Sequence, residues 1–99
     1  MTSFADVIAH DARLCILKEL AQQTGGRLNE STLQRVLDAF GIARTRDWVR
    51  TQLRALDDLG AVNITEMGTV MIATLTKSGR DHVERRAVIE GISRPSDED

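Results

Sequence analysis

The segment from Thr45 to Val62 constrains this chain more than any other. Thr45 stands where a helix N-cap is needed, with an oxygen to accept one of the unpaired N–H groups of a first turn. Val49, Leu53 and Leu56, joined by Leu59 if the last turn counts, recur at three- and four-residue intervals and predict a buried stripe. Arg46, Arg50 and Arg54 follow at i, i+4 and i+8, a spacing that gathers them on one face, expected to lie opposite that stripe. Gly60 stops the helix, and a β-rich stretch follows. A capped helix with an apolar inside and arginines outside, running into a hairpin, is the pattern of a helix that reads DNA.

The rest of the chain supplies the expected frame. Ser3 and Asp6 have capping-box spacing, and Phe4, Val7, Ile8, Leu14, Leu17, Leu20 and Ala21 predict an amphipathic helix over about 3–22. Asp11 is placed to cap a second start, which leaves open a break near His10. A second helix is expected from Asn29 or Ser31 to Phe40, about 30–40, with Leu33, Val36, Leu37 and Phe40 inward and Gly41 as its stop. The connection Ile42-Ala43-Arg44 to the third helix, 45–59, is short enough for a helix-turn-helix. Val62 and Ile64 alternate with Asn63 and Thr65, and Thr69 to Leu75 is β-branched and apolar, so 61–75 predicts a hairpin turning at Glu66-Met67-Gly68. Thr76 then caps a last helix, 76–90, closed by Gly91. The expected domain is 1–91, with a loose tail at 92–99.

Composition narrows the function. The 99 residues carry 41% hydrophobic and 28% charged side chains, as in an ordinary globular protein of one domain. No apolar run approaches the roughly 20 residues of a membrane span, and no signal-peptide pattern opens the chain, so a cytoplasmic protein with no membrane partner is expected. A single Cys15 excludes an internal disulfide. Aromatics at 3% argue against single-strand binding by base stacking. The net charge of -2 is not that of a general nucleic-acid binder, yet Arg44, Arg46, Arg50 and Arg54 against Asp47 leave +3 between residues 44 and 54. The acids gather elsewhere, as in Asp97-Glu98-Asp99.

Several local patterns carry a resemblance. Asp11-Ala12-Arg13-Leu14-Cys15-Ile16-Leu17-Lys18-Glu19-Leu20 resembles the first core helix of ArsR-like regulators. Thr45, Val49, Leu53, Leu56, Gly60 and Val62 are similar to their recognition-helix pattern, and Leu75-Thr76-Lys77-Ser78-Gly79 to the opening of the helix after their wing. More narrowly, Ser3-Phe4-Ala5-Asp6-Val7-Ile8 and Leu28-Asn29-Glu30-Ser31 resemble a family of small winged-helix proteins of Mu-like bacteriophages and prophages. The resemblance implies a mostly α, α+β winged helix-turn-helix fold. It also implies a DNA-binding transcriptional regulator working in the cytoplasm of a bacterial host.

Under that expectation Arg44 and Thr45 meet a backbone phosphate at the helix start, while Arg46, Arg50, Thr51 and Arg54 enter the major groove of double-stranded DNA. The bland alternative is a solvated face, with Arg54 paired to Asp57 or Asp58. The hairpin tip, Glu66-Met67-Gly68-Thr69, carries an acid and no base, which opposes a minor-groove grip. That keeps a second class open: a winged-helix adaptor binding protein in phage assembly or DNA packaging. Trp48, one position off the stripe, is expected as a partly buried core residue. Arg80, Arg85 and Arg86 are expected as a solvated group balanced by Asp81 and Glu84.

Metal sensing is disfavoured, since Cys15 stands alone, His10 is five residues away, and Asp81 and His82 point in different directions. No nucleophile–base spacing or phosphate loop is present, so no enzyme activity, cofactor or small-molecule effector is expected. Gly79 is read as a close-packing position. Phe4, Ile8, Val88, Ile89 and Ile92 are more apolar residues than one small core needs, which predicts a homodimer through the first and last helices.

Overall fold

A computed structural model describes residues 2–96. Among them the elements run α1 (Phe4–Ala21), β1 (Arg27–Asn29), α2 (Glu30–Ala39), α3 (Arg46–Asp58), β2 (Val62–Met67), β3 (Val70–Leu75) and α4 (Lys77–Val83). The three strands form one antiparallel sheet in the order β1-β3-β2. About half of the chain is helical, so the architecture is a small α+β one.

Each helix begins on the cap its sequence supplies. Ser3 Oγ accepts the Asp6 N–H at 3.1 Å, and the Asp6 carboxylate accepts the Ser3 N–H at 3.4 Å, closing a capping box. Asn29 Oδ1 accepts from Thr32 N–H at 2.8 Å, which settles the start of α2 at Glu30. Thr45 and Thr76 cap α3 and α4 in the same way, accepting from Trp48 and Gly79. α1 runs through His10 unbroken, and Asp11 instead accepts a hydrogen bond from Ser93 Oγ.

The helix ends follow a common device. At α2, Gly41 turns left-handed and the Ile42 N–H reaches back to the Leu37 carbonyl at 2.8 Å. At α3, Gly60 has φ +79° and the Ala61 N–H bonds the Leu56 carbonyl at 2.9 Å. Both are Schellman closures, in which the residue after the reversal packs inward. This corrects the placement of Phe40: the reversal hands the inward position to Ile42, and Phe40 is left 68% exposed. Leu59, at the C-cap of α3, is likewise only partly covered.

Two further departures come from tertiary pairing. β1 was not expected, because its three residues show no periodicity. It exists by pairing Arg27, Leu28 and Asn29 with Thr74, Ala73 and Ile72 of β3. α4 stops at Val83 instead of reaching residue 90, because Arg85 takes a left-handed φ of +64° and Arg86 N–H closes onto the Asp81 carbonyl. The chain then turns back as a strap. Ile92 enters the core and the Ser93 N–H bonds the His10 carbonyl at 3.2 Å, so 92–96 is not a loose tail. Asp97-Glu98-Asp99 lie outside the described residues.

The core gathers Ile16, Leu17 and Leu20 of α1, Leu33 and Leu37 of α2, and Val49, Leu53 and Leu56 of α3 against Val62, Met71 and Ala73 of the sheet. α4 closes one edge, and there Gly79 permits the contact. A methyl group on Gly79 would collide with the Ala61 carbonyl oxygen and stand 2.8 Å from Leu75 Cδ1. The hairpin turns on Gly68 and Thr69, with Gly68 at φ +62° and Met67 paired to Val70. No helix among the described residues is long and apolar enough to cross a membrane.

Candidate nucleic-acid interface

The arginines of α3 are organised by a residue that sequence spacing did not single out. Glu30, the first residue of α2, is fully buried, and its carboxylate is the meeting point of three elements. Arg46 Nη2 donates to Glu30 Oε1 at 2.8 Å, and Arg50 grips the same carboxylate from two nitrogens, Nη2 to Oε1 at 2.7 Å and Nε to Oε2. From β3 the Met71 N–H donates to Oε1 at 3.2 Å. Arg50 Nη2 also donates to the Thr69 carbonyl in the hairpin turn. One carboxylate therefore ties α2, α3 and the hairpin together.

Burial alone would raise the pKa of such a carboxyl. The bidentate Arg50 outweighs it, with help from Arg46 and the Met71 N–H, and holds Glu30 down at about 2 against an ordinary 4.5. A fork-shaped guanidinium suits this role because its donors match both carboxylate oxygens at once. Neither arginine is consumed by it. The Arg46 side chain remains 47% exposed and that of Arg50 25%, and the donors that face neither Glu30 nor the Thr69 carbonyl stay available.

The other expected site residues divide by position. The Arg44 guanidinium lies over the Trp48 ring, 5.5 Å from its centroid, and its main-chain carbonyl accepts from Gln34 Nε2 at 2.9 Å. Trp48 is partly buried against the core. Thr45 spends its hydroxyl oxygen on the cap, and Thr51 Oγ1 donates to the Asp47 carbonyl at 3.1 Å. Arg54 is exposed and makes no ion pair among the described residues, so it does not pair with Asp57 or Asp58. It borders a shallow recess with both of them and with Glu66.

The first two arginines of the row therefore occupy a flank of α3, and only Arg54 comes near its outer pole. At 3.6 residues per turn a spacing of four drifts steadily around the helix. Arg46 and Arg50 fall toward α2 and the hairpin, while Asp47, Thr51 and Asp58 take the outermost position, all of them exposed. Glu30, Asp57 and Asp58 together offset the excess of positive charge counted over residues 44–54.

Most of the chain's length is matched by known relatives. Over 90 residues, 91% of the chain, the sequence is 38% identical to the uncharacterized protein gp26 of Escherichia phage Mu, and 93% of that protein is covered. The chain belongs to the phage Mu gp26 family. An uncharacterized protein of Haemophilus influenzae is 36% identical over 76 residues, 76% of this chain and 74% of its own length. No family model and no solved structure matches the chain.

In this gp26-family chain no group of three or more His, Cys, Asp or Glu residues is placed to hold a metal among the described residues. Cys15 is half-buried, and burial pushes its thiol pKa up. In α4 Lys77 pairs with Asp81 at 2.9 Å, and just beyond it Arg86 pairs with Glu84 at 3.6 Å, a solvated ion-pair surface. The long-range Glu30 contacts were missed because Glu30 reads as a first-turn acid that satisfies the helix dipole. The one available signal was a carboxylate at the start of the helix preceding an arginine row.

Proposed function

We propose that this protein is a winged helix-turn-helix DNA-binding protein of a Mu-like phage or prophage, with α3 as the helix that enters the major groove. The order helix, strand, helix, helix, hairpin, helix, with a short α2–α3 connection, is that of such a domain and supports the assignment. The observation that carries it is the Glu30 brace. Arg46 and Arg50 are long, flexible side chains, and a buried carboxylate orders both while leaving donors of each at the surface. Pre-ordering of this kind lowers the entropy lost when a base edge or phosphate is gripped. Arg44 and Thr45 then stand where a backbone phosphate meets the start of α3, and Arg54 and Thr51 lie farther along the groove.

Regulation of transcription follows as the use of such binding in a phage. Affinity is expected to be modest and selective, since Asp47, Asp58 and Glu66 border the arginines. Selection of bound duplex from a random pool by the full chain tests the proposal. Expected is an enriched site whose binding weakens steeply with salt, as counterion release requires. If no duplex is retained at micromolar protein, or retention ignores salt, the proposal fails. The exposed Met67 beside Glu66 at the hairpin tip favours the second reading in that event, an adaptor that docks protein through the hairpin.

A further inference from the structure

We propose that the outer face of α1 is the contact surface of a symmetric homodimer, in which α1 of a second copy lies antiparallel across it. The proposal is independent of DNA binding. α1 carries two apolar faces. One, with Ile16, Leu17 and Leu20, is buried in the core. The other is only partly covered: Phe4 is 77% exposed and Val7 41%, Ile8 is half-buried, and Leu14 and Cys15 lean on the core by one side only. Val7 and Ile8 stand three and four residues after Phe4, and Leu14 and Cys15 follow seven residues after Val7 and Ile8, so the five share a stripe with Asp11 between the two groups.

The stripe borders a groove of about 580 Å³ that runs from Ile8 to Gln22, with Phe40, Gly41 and Ile42 as its opposite wall. Phe40, turned outward by the Gly41 reversal, thereby becomes part of that wall. A helix face with an apolar stripe, beside a groove whose far wall is Phe40 and Ile42 and whose floor carries charges, fits another amphipathic helix.

The charges of the stripe identify the occupant. Its polar members along the groove include Asp11 and Lys18, which stand at equal distances on either side of Leu14 and Cys15. A two-fold axis between Leu14 and Cys15 sets Asp11 of each copy opposite Lys18 of the other. The same axis sets Leu14 against Cys15 and Ile8 against the small Ala21. An isologous interface needs this self-complementarity, and an unrelated partner would not require it. Phe4 then extends past the end of the second α1, toward the region of Gln22. The strap after α4 contributes nothing, because Ile92 is buried in the chain's own core and Ile89 packs against it.

Sedimentation of the full chain across concentration, with a thermal melt confirming that every variant is folded, tests this. The wild type is expected to dimerise below about 100 micromolar. Asp11→Lys and Lys18→Asp should each weaken the dimer at least about tenfold by setting like charges face to face. The double variant D11K/K18D should recover most of the loss. Simple damage from losing the Ser93 contact of Asp11 would not be repaired by changing Lys18. Val88→Ser, an exposed apolar residue outside the groove, should leave the dimer unchanged. A monomer throughout, single variants without effect, or a double variant that fails to recover would each overturn the proposal. So would dissociation by V88S alone.

Discussion

Two buried polar centres hold different elements of this molecule together, and they are built on different chemistry. On the side of α3, Glu30 is charged and is clamped by two guanidinium groups that keep one foot in water. On the side of α4, His82 is 1% exposed and uses both ring nitrogens on main chain. Its Nδ1 accepts the Ile89 N–H at 3.0 Å, so Nε2 carries the proton and donates to the Ser93 carbonyl at 2.9 Å. The imidazole pins a strap that has no regular structure of its own. The carboxylate joins elements that are already regular and orders the surface side chains above them. One centre keeps the chain closed; the other prepares a face. Arg13 of α1 links α3 to the strap, donating to Gln52 Oε1 at 3.0 Å and to the Gly91 carbonyl at 2.9 Å.

The largest effect is expected at the joint of α4 with the α3–β2 turn. Gly79→Ala sets a methyl group against the Ala61 carbonyl oxygen, a contact between two backbone segments that no rotamer relieves. A loss of about 3 kcal/mol is expected, at the upper end of overpacking effects. Urea unfolding measures it, and a loss under about 1 kcal/mol would show that α4 can shift off the turn. The next effect separates the two centres. His82→Ala leaves the Ile89 N–H and the Ser93 carbonyl unpaired and opens a cavity, at roughly 2–3 kcal/mol. Hydrogen exchange should rise at Ile89 and Ser93 and in α4, with α2 and α3 little changed. Equal acceleration across α3 would mean that the strap and the α3 face are one cooperative unit.

Glu30→Gln probes the other centre. The amide keeps the shape and one acceptor oxygen but gives up the charge, so a smaller loss of roughly 1–2 kcal/mol is expected, because both arginines can turn to water. The sign of the pH effect follows from a carboxyl held at about 2 in the fold against an ordinary 4.5. The unfolded chain takes up the proton first, so the stabilisation is complete above about 4.5 and is lost as pH falls toward 2. Melting temperatures of wild type and E30Q should therefore converge through that window. Parallel curves would remove the brace from the account.

The contrast also marks what the sequence makes legible. Four caps, at Ser3, Asn29, Thr45 and Thr76, act through the next three residues, and the stops at Gly41 and Gly60 act through the two that follow. Local chemistry of that range can be read in a line of residues. β1 cannot, since Arg27, Leu28 and Asn29 become a strand only by pairing with residues more than forty positions away. Val88, Ile89 and Ile92 continue a helical spacing past Val83, yet the left-handed Arg85 and the His82 ring redirect them. At the candidate site the arginine row was legible and its organiser was not. Glu30 meets Arg46 and Arg50 only after α2 and α3 have packed, and no spacing rule reaches across that junction.

The smallest effect on stability belongs to Arg54, and there the two sides of the site part most cleanly. Arg46 and Arg50 serve the fold through Glu30 and serve the proposed DNA face through their remaining donors, so replacing either mixes two losses. Arg54 is exposed and unpaired among the described residues. Arg54→Ala should leave stability within about 0.5 kcal/mol of wild type. On DNA it should weaken binding by about 1–3 kcal/mol if the guanidinium reads a base. If it touches only phosphate, the loss should be uniform across sequences and the salt slope should fall by about one. An Arg54→Ala protein that binds its selected site as tightly as wild type would confine the interface to the start of α3, where Arg44, Thr45 and the braced pair stand.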